Sequence, residues 1–207
     1  MVIKNYIVFE GIDGSGTTTQ VKALAHRLEM ENTFITAEPT NLETGKFLRR
    51  MLKGEFCVDE KTASYLFAAD RCEHVHGKGG IIEQANMGKI VISDRYFFSS
   101  LAYQSVSCGK ALPELLNSPF PLPEWLFYMK IAPEVALERV ARRGNNPEIY
   151  EKLDFQKKTS ALYDTIIAEY DGTEKGEGMN VVTIDASESA EKIAHFIWDC
   201  LKKPPIH

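Results

Sequence analysis

Gly11-Ile12-Asp13-Gly14-Ser15-Gly16-Thr17-Thr18, entered from Tyr6-Ile7-Val8-Phe9-Glu10, decides how the rest of this chain is read. The run before it reads as a buried strand, and an amphipathic helix is expected from about Thr17 to Glu31. Strand, glycine-rich loop and helix are the context in which such a motif binds phosphate. Gly11, Gly14 and Gly16 let the backbone bend and come close, so that N–H groups converge on an anion at the positive end of a helix. Thr18 stands where a nucleoside triphosphatase keeps its Mg²⁺-binding hydroxyl. Position 17 departs from the motif, which places Lys where this chain has Thr. The loop specifies a nucleotide and leaves the chemistry at the transferred phosphate open.

The bulk properties narrow the class. A chain of 207 residues with 44% hydrophobic and 26% charged residues has the size and composition of one compact domain with a sizeable core. A net charge of −5 argues against broad binding to nucleic acid or anionic membrane, so any basic site is local. Cys57, Cys72, Cys108 and Cys200 are scattered without C-x-x-C spacing, which fits reduced thiols and not a zinc site or a disulfide framework. Cys72 is expected to be a buried, inert thiol. His74 and His76 sit too close for one helix face and lack further ligand-type neighbours. The first strand begins at once, without a leader pattern, and no apolar stretch reaches membrane-spanning length. The expectation is a cytoplasmic protein. No internal repeat or low-complexity linker interrupts the chain.

Strands and helices alternate along it. Thr33-Phe34-Ile35-Thr36-Ala37-Glu38 reads as a second strand stopped by Pro39. Two helices are expected over Thr44–Lys53 and Glu60–Asn86. Further strands are Lys89-Ile90-Val91-Ile92-Ser93, Trp125-Leu126-Phe127-Tyr128-Met129-Lys130-Ile131 and Asn180-Val181-Val182-Thr183-Ile184-Asp185. Pro133 suits the first turn of a helix, and a last helix is expected from Ser189 to Lys202. The pattern predicts an α/β fold, a mostly parallel sheet with helices on both faces. Ligands in such sheets bind at the carboxyl ends of strands. Asp13, Glu38, Asp94 and Arg95 all stand at such ends and should converge on one crevice.

The second motif carries the substrate class. Ile92-Ser93-Asp94-Arg95-Tyr96-Phe97-Phe98-Ser99-Ser100-Leu101-Ala102-Tyr103-Gln104 closely resembles the signature of the thymidylate kinases. Phe9-Glu10-Gly11-Ile12-Asp13-Gly14-Ser15-Gly16 looks like that family's phosphate loop, Glu38-Pro39 its second-strand turn, and Leu66-Phe67-Ala68-Ala69-Asp70-Arg71 its base-binding helix. Glu151-Lys152-Leu153-Asp154-Phe155 with Tyr163 is similar to the helix after its lid, and Ile184-Asp185-Ala186 to its last strand. The matches cover nearly the whole chain in order. They imply a three-layer P-loop kinase fold with a five-stranded parallel sheet, one domain over residues 1–207 and a short lid around 142–151.

The resemblance implies transfer of the γ-phosphoryl group of ATP to dTMP, giving dTDP and ADP, with Mg²⁺. Gly11, Asp13, Gly14, Ser15, Gly16, Thr17 and Thr18 would hold ATP, and Thr18 and Asp94 the metal. Arg95 would grip the acceptor phosphate, a task suited to its planar fork of donors, with Asp94 near the reacting oxygens. Phe67 would stack on thymine and Arg71, one helical turn on, would hydrogen-bond a base carbonyl. Tyr103 would pack under the deoxyribose and leave no room for a 2′-hydroxyl, while Asp13 would accept from the 3′-hydroxyl. Glu38, Ser99, Ser100, Gln104 and Tyr150 complete the implied dTMP set, Tyr150 reaching in from the lid. A homodimer is implied by the resemblance alone, and no nucleic-acid polymer or membrane is implied as a partner.

Three departures bear on the chemistry. Thr17 replaces the loop Lys, Ala37 stands where many members carry Arg before Glu-Pro, and Ile149 stands where the lid usually carries Arg. Loss of one preorganised donor commonly costs about 3–4 kcal/mol, or about 10²–10³ in rate. Arg139, Arg142 and Arg143, just before Gly144-Asn145-Asn146-Pro147, are the expected compensating cations, with Arg142 and Arg143 counted as catalytic. Two other readings stay open: a catalytically impaired homologue that senses dTMP or serves a partner protein, and a kinase for another nucleoside or deoxynucleoside monophosphate.

Overall fold

The computed structural model describes residues 1–28, 32–142 and 149–202. Five strands, β1 (Val2–Glu10), β2 (Thr33–Ala37), β3 (Ile90–Asp94), β4 (Leu122–Lys130) and β5 (Asn180–Asp185), form one sheet in the order β2-β3-β1-β4-β5. Every neighbouring pair is parallel. Consecutive buried residues in β1 (Ile7, Val8, Phe9) and β4 (Leu126, Phe127, Tyr128) require cover on both faces, and helices supply it. Edge strand β2 is less enclosed, with Ile35 exposed.

The helices are α1 (Thr17–Arg27), α2 (Glu43–Leu52), α3 (Glu60–His76), α4 (Ile81–Asn86), α5 (Phe97–Cys108), α6 (Ala111–Asn117), α7 (Pro133–Ala141), α8 (Leu153–Tyr170) and α9 (Ala190–Lys202). Helix α1 packs with α9, while α5 packs with α3, α6 and α8. A stacked pair, Phe9 on Phe127 with ring centroids 5.3 Å apart, ties the two central strands beneath them.

The expected strands appear with small shifts, two helical expectations need correction, and one helix is unexpected. The helix expected over Glu60–Asn86 is two, because Gly77-Lys78-Gly79-Gly80 intervenes and Gly79 has φ +76°, outside the helical region. Helix α1 ends at Arg27, whose successor Leu28 is already extended (φ −88°, ψ 148°); residues 29–31 lie outside the described residues. Helix α6 has no counterpart in the sequence reading: it is short and carries Pro113 inside its first turn. Cys72 is exposed, not buried, since it lies on the outer side of α3 next to inward-facing Arg71.

Candidate active site

The carboxyl ends of β1, β2 and β3 open into a cavity of about 400 Å³. Asp13, Gly14, Gly16, Thr17 and Thr18 line one end, Glu38, Phe67, Arg71, Ser100, Tyr103 and Gln104 the other, with Asp94, Arg95 and Ser99 between. Tyr150 closes one side. The crevice expected from strand ends is therefore real, and residues as far apart in sequence as Asp13 and Glu151 meet in it.

At the phosphate-loop end, Gly14 has φ +88°, and a Cβ there would lie 2.2 Å from the carbonyl oxygen of Ala136 in α7. Only glycine fits so close to another backbone. Gly16 (φ +99°) precedes α1, and no side chain caps that helix, so its N-terminal turn faces the cavity open to an anion. Gly11 and Ser15 lie under the loop and not on the cavity wall; the Gly11 carbonyl accepts from Arg95 Nη1 at 2.7 Å. Thr18 Oγ1 donates to Asp94 Oδ2 at 2.5 Å, while Asp94 Oδ1 is buried without a hydrogen-bond partner. An orphaned carboxylate oxygen beside a hydroxyl, at the mouth of an anion-binding loop, fits one side of a Mg²⁺ shell completed by substrate phosphates and water. No described cluster of three His, Cys, Asp or Glu could hold a metal by itself.

Arg95 stands at the centre. It ends the β3 turn at φ +75°, a left-handed conformation that among described non-glycine residues only Asn5 shares. Nη2 donates to Asp13 Oδ1 at 2.6 Å, and Nη1 reaches Gly11 O, Ser99 Oγ (3.2 Å) and Tyr163 Oη (3.4 Å). Burial works against its charge, yet the Tyr103 phenol and the Asp13 carboxylate hold the guanidinium above its ordinary pKa. Asp13 Oδ2 also accepts from Tyr103 Oη at 3.0 Å and Gln156 Nε2 at 3.1 Å, while the Asp13 N–H donates to Tyr103 Oη at 3.1 Å. Burial pushes the Tyr103 phenol well up, so it remains a donor.

At the far end Arg71, 1% exposed, is paired with Glu38 at 2.7 Å, and also donates to Ser100 Oγ and to Asn117 Oδ1. Each of its three nitrogens already serves the protein, which leaves at most two of five N–H groups for a ligand. Glu38 Oε1 meets His74 Nδ1 at 2.9 Å, and His74 Nε2 lies 2.6 Å from Thr36 Oγ1. Half-buried Phe67 and the buried Gln104 face the same space. Tyr150 stacks on Phe155 (centroids 4.9 Å apart), and burial pushes its phenol up to about 12.

Of the expected compensating cations, the two that are described, Arg139 and Arg142, do not line the cavity. Arg139 Nη1 is committed to the Ala186 carbonyl at 2.9 Å. Arg142 follows the last turn of α7, with its side chain 81% exposed and 3.8 Å from Glu138, so solvent and a neighbouring carboxylate hold it. Arg143 and the Gly144–Pro147 turn lie outside the described residues. The cations on the described wall are instead Arg49, Arg71 and Arg95. Arg49 was not legible from any motif: α2 carries it to the wall, where Nε donates to Thr40 O at 3.4 Å and Nη2 to Pro39 O. Asp70 fixes that loop by accepting from Thr40 N, Thr40 Oγ1 and Thr44 Oγ1.

Comparison with known proteins places this arrangement. The family model described as thymidylate kinase matches residues 9–197. A Leptospira interrogans thymidylate kinase is 36% identical over 95% of this chain and 92% of its own length. A Treponema pallidum relative, provisionally given the same name, is 41% identical over 98% of this chain and 97% of its own. A solved structure of thymidylate kinase from Candida albicans superposes with a TM-score of 0.76 at 24% identity, covering 96% of this chain and 91% of that one, and it shares the fold.

Proposed function

The chain belongs to the thymidylate kinase family and is a kinase, and on that premise we propose that it transfers the γ-phosphoryl group of ATP to dTMP, with a phosphate loop that works without lysine. The observation that carries this reading is the meeting, in one cavity, of the phosphate loop with Asp94, Arg95 and a pocket walled by Phe67, Arg71 and Tyr103.

The chemistry follows from charge. A phosphate monoester is largely dianionic at neutral pH, its second pKa being about 6, so the attacking oxygen needs no protein base. The new O–P bond forms as the bond from the γ-phosphorus to the β–γ bridging oxygen breaks, and the electron pair leaves on ADP. The protein must hold two anions in line and neutralise them. Arg95 meets the acceptor phosphate from the β3 turn, and Arg49 faces the same space across the Pro39–Thr40 loop. The N-terminal turn of α1 takes the donor phosphates. Thr18 and Asp94 would hold Mg²⁺, which when bound draws charge off the phosphate oxygens. Tyr103, pinned between Asp13 and Arg95, is the rigid floor that excludes a 2′-hydroxyl. A cytoplasmic location, expected from the sequence pattern, and a homodimer, implied by the resemblance alone, accompany this reading.

The test is an acceptor panel with ATP and Mg²⁺, in which dTDP appears from dTMP and far less product appears from UMP. Tyr103→Ala should narrow that preference by tenfold or more. An unchanged preference in Tyr103→Ala contradicts the steric assignment, and a better acceptor than dTMP contradicts the substrate.

A further inference from the structure

Glu10 is fully buried at the end of β1 and does not touch the cavity, yet it is tied to Arg95 from two sides. Its Oε1 accepts the backbone N–H of Tyr96 (2.8 Å) and of Ser99 (3.1 Å), the latter in the first turn of α5. The Arg95 N–H donates to Phe9 O at 2.9 Å. Two consecutive residues of β1 thus grip two consecutive N–H groups of the strained turn. Oε2 accepts from Ser99 Oγ at 2.7 Å and Tyr163 Oη at 2.8 Å, the same two hydroxyls that face Arg95 Nη1.

We propose that Glu10 is a positioning residue for Arg95, setting both the backbone turn that carries it and the polarity of the hydroxyls against which its guanidinium rests. This rests on the reading of Arg95 as the acceptor-side cation. Each hydroxyl has one hydrogen, and an ionised carboxylate can only accept. It draws the hydrogens of Ser99 and Tyr163 towards itself and leaves their lone pairs facing the N–H groups of Arg95. A protonated carboxyl reverses this. Its O–H must donate to one of the two hydroxyls, which then turns its own hydrogen towards Arg95 or towards the other hydroxyl, 2.9 Å away.

The groups facing the carboxylate are Arg95 and the Tyr96 N–H from the turn after β3, Ser99 from α5, and Tyr163 from α8. Tyr128 of β4 is its register partner and stacks on Tyr163. Burial, opposed by Arg95 and by these donors, pushes the Glu10 carboxyl up to about 7. The working polarity is therefore gained as pH rises through neutrality.

Glu10→Gln keeps the shape and places an NH₂ group where an acceptor stood, so it reproduces the wrong polarity at every pH. In the unaltered protein, affinity for dTMP measured by calorimetry should rise about tenfold between pH 6 and 8 beyond what dTMP's own titration supplies. Taking the ratio to Glu10→Gln at each pH cancels that titration. In Glu10→Gln dTMP should bind at least tenfold more weakly at pH 8, with ATP affinity unchanged within twofold. Equal dTMP affinity in the two proteins across this range overturns the proposal, even if Glu10→Gln melts at a lower temperature, since that marks a purely structural role.

A second readout is independent of the nucleotide. The Arg95 side-chain N–H resonances of the ligand-free protein should titrate near pH 7 and stop doing so in Glu10→Gln; resonances that never respond contradict the proposal. If they titrate while dTMP does not bind, the substrate reading fails and the link from Glu10 to Arg95 stands.

Discussion

The two ends of the cavity are built on different principles. At the acceptor end the main polar side chains are already satisfied by protein: Arg71 by Glu38, Ser100 and Asn117, and Tyr103 by Asp13. At the donor end the wall is backbone N–H, two threonine hydroxyls and a carboxylate with one orphaned oxygen, and the cation of the described wall that touches the loop, Arg95, is already held by Gly11 O and Asp13. The acceptor end is preorganised before any ligand arrives. On the proposed reading the donor end is completed by what binds there, and a metal ion carried by the nucleotide would supply the positive charge that a loop lysine otherwise contributes. Preorganised donors act without rearranging during the reaction, which favours placing them around the group that selects the substrate.

Breaking the acceptor end should have the largest effects, first on the fold. Arg71→Leu removes one partner of a buried ion pair and leaves Glu38 with His74 alone, so urea denaturation should show a loss of about 3–5 kcal/mol. A loss under 1 kcal/mol would mean that the pair is not a structural hub. Arg95→Ala, less buried, should act on the chemistry, lowering kcat/KM for dTMP about 10²–10³-fold, equivalent to about 3–4 kcal/mol, with a much smaller change in stability. Comparable losses of kcat/KM for ATP and dTMP would erase the distinction between the two ends.

Glu10 sharpens the comparison because its effects on stability and on activity have opposite signs. Its folded pKa of about 7 lies above the ordinary 4.5, so its contribution to stability is complete below about 4.5 and is lost as pH rises through about 7. The full loss is roughly 3 kcal/mol. Relative to Glu10→Gln, the unaltered protein should therefore lose stability in urea between pH 5 and 8, over the interval in which dTMP affinity improves. A flat stability difference would place the carboxyl pKa outside that window. The smallest effect belongs to Arg142→Ala: an exposed residue 3.8 Å from Glu138 should change stability by less than about 0.5 kcal/mol and turnover by less than about twofold. A tenfold loss of turnover would bring that residue into the reacting complex.

Much of this was legible in the sequence because parallel strands and glycine-rich turns leave local marks. The uninterrupted apolar runs of β1 and β3 and the Asp94-Arg95 ending located both the sheet and the crevice. What escaped was set by distance or by short elements. Pro123 concealed the first residues of β4, and a four-residue stretch with three glycines split one expected helix. Arg49 belongs to no motif and reaches the wall only because α2 folds back beside the Pro39 loop. Glu10 did leave a signal, a lone carboxylate closing an otherwise apolar buried strand, but its partners lie 86 to 153 residues away. Arg142 stands out in the sequence because a cation near a lid reads like a catalytic one; among the described residues its neighbour is Glu138 and its side chain is largely exposed.

The most direct test of the account is the initial rate of ADP formation with ATP, Mg²⁺ and dTMP, measured on this protein and on Thr17→Lys side by side. A donor end completed by its ligands predicts dTMP-dependent turnover in the unaltered protein, with Thr17→Lys changing mainly the KM for ATP. Silence in the unaltered protein and turnover only in Thr17→Lys would contradict it, since the lysine would then be indispensable. Silence in both, with dTMP still bound, would leave a nucleotide-binding protein in place of an enzyme.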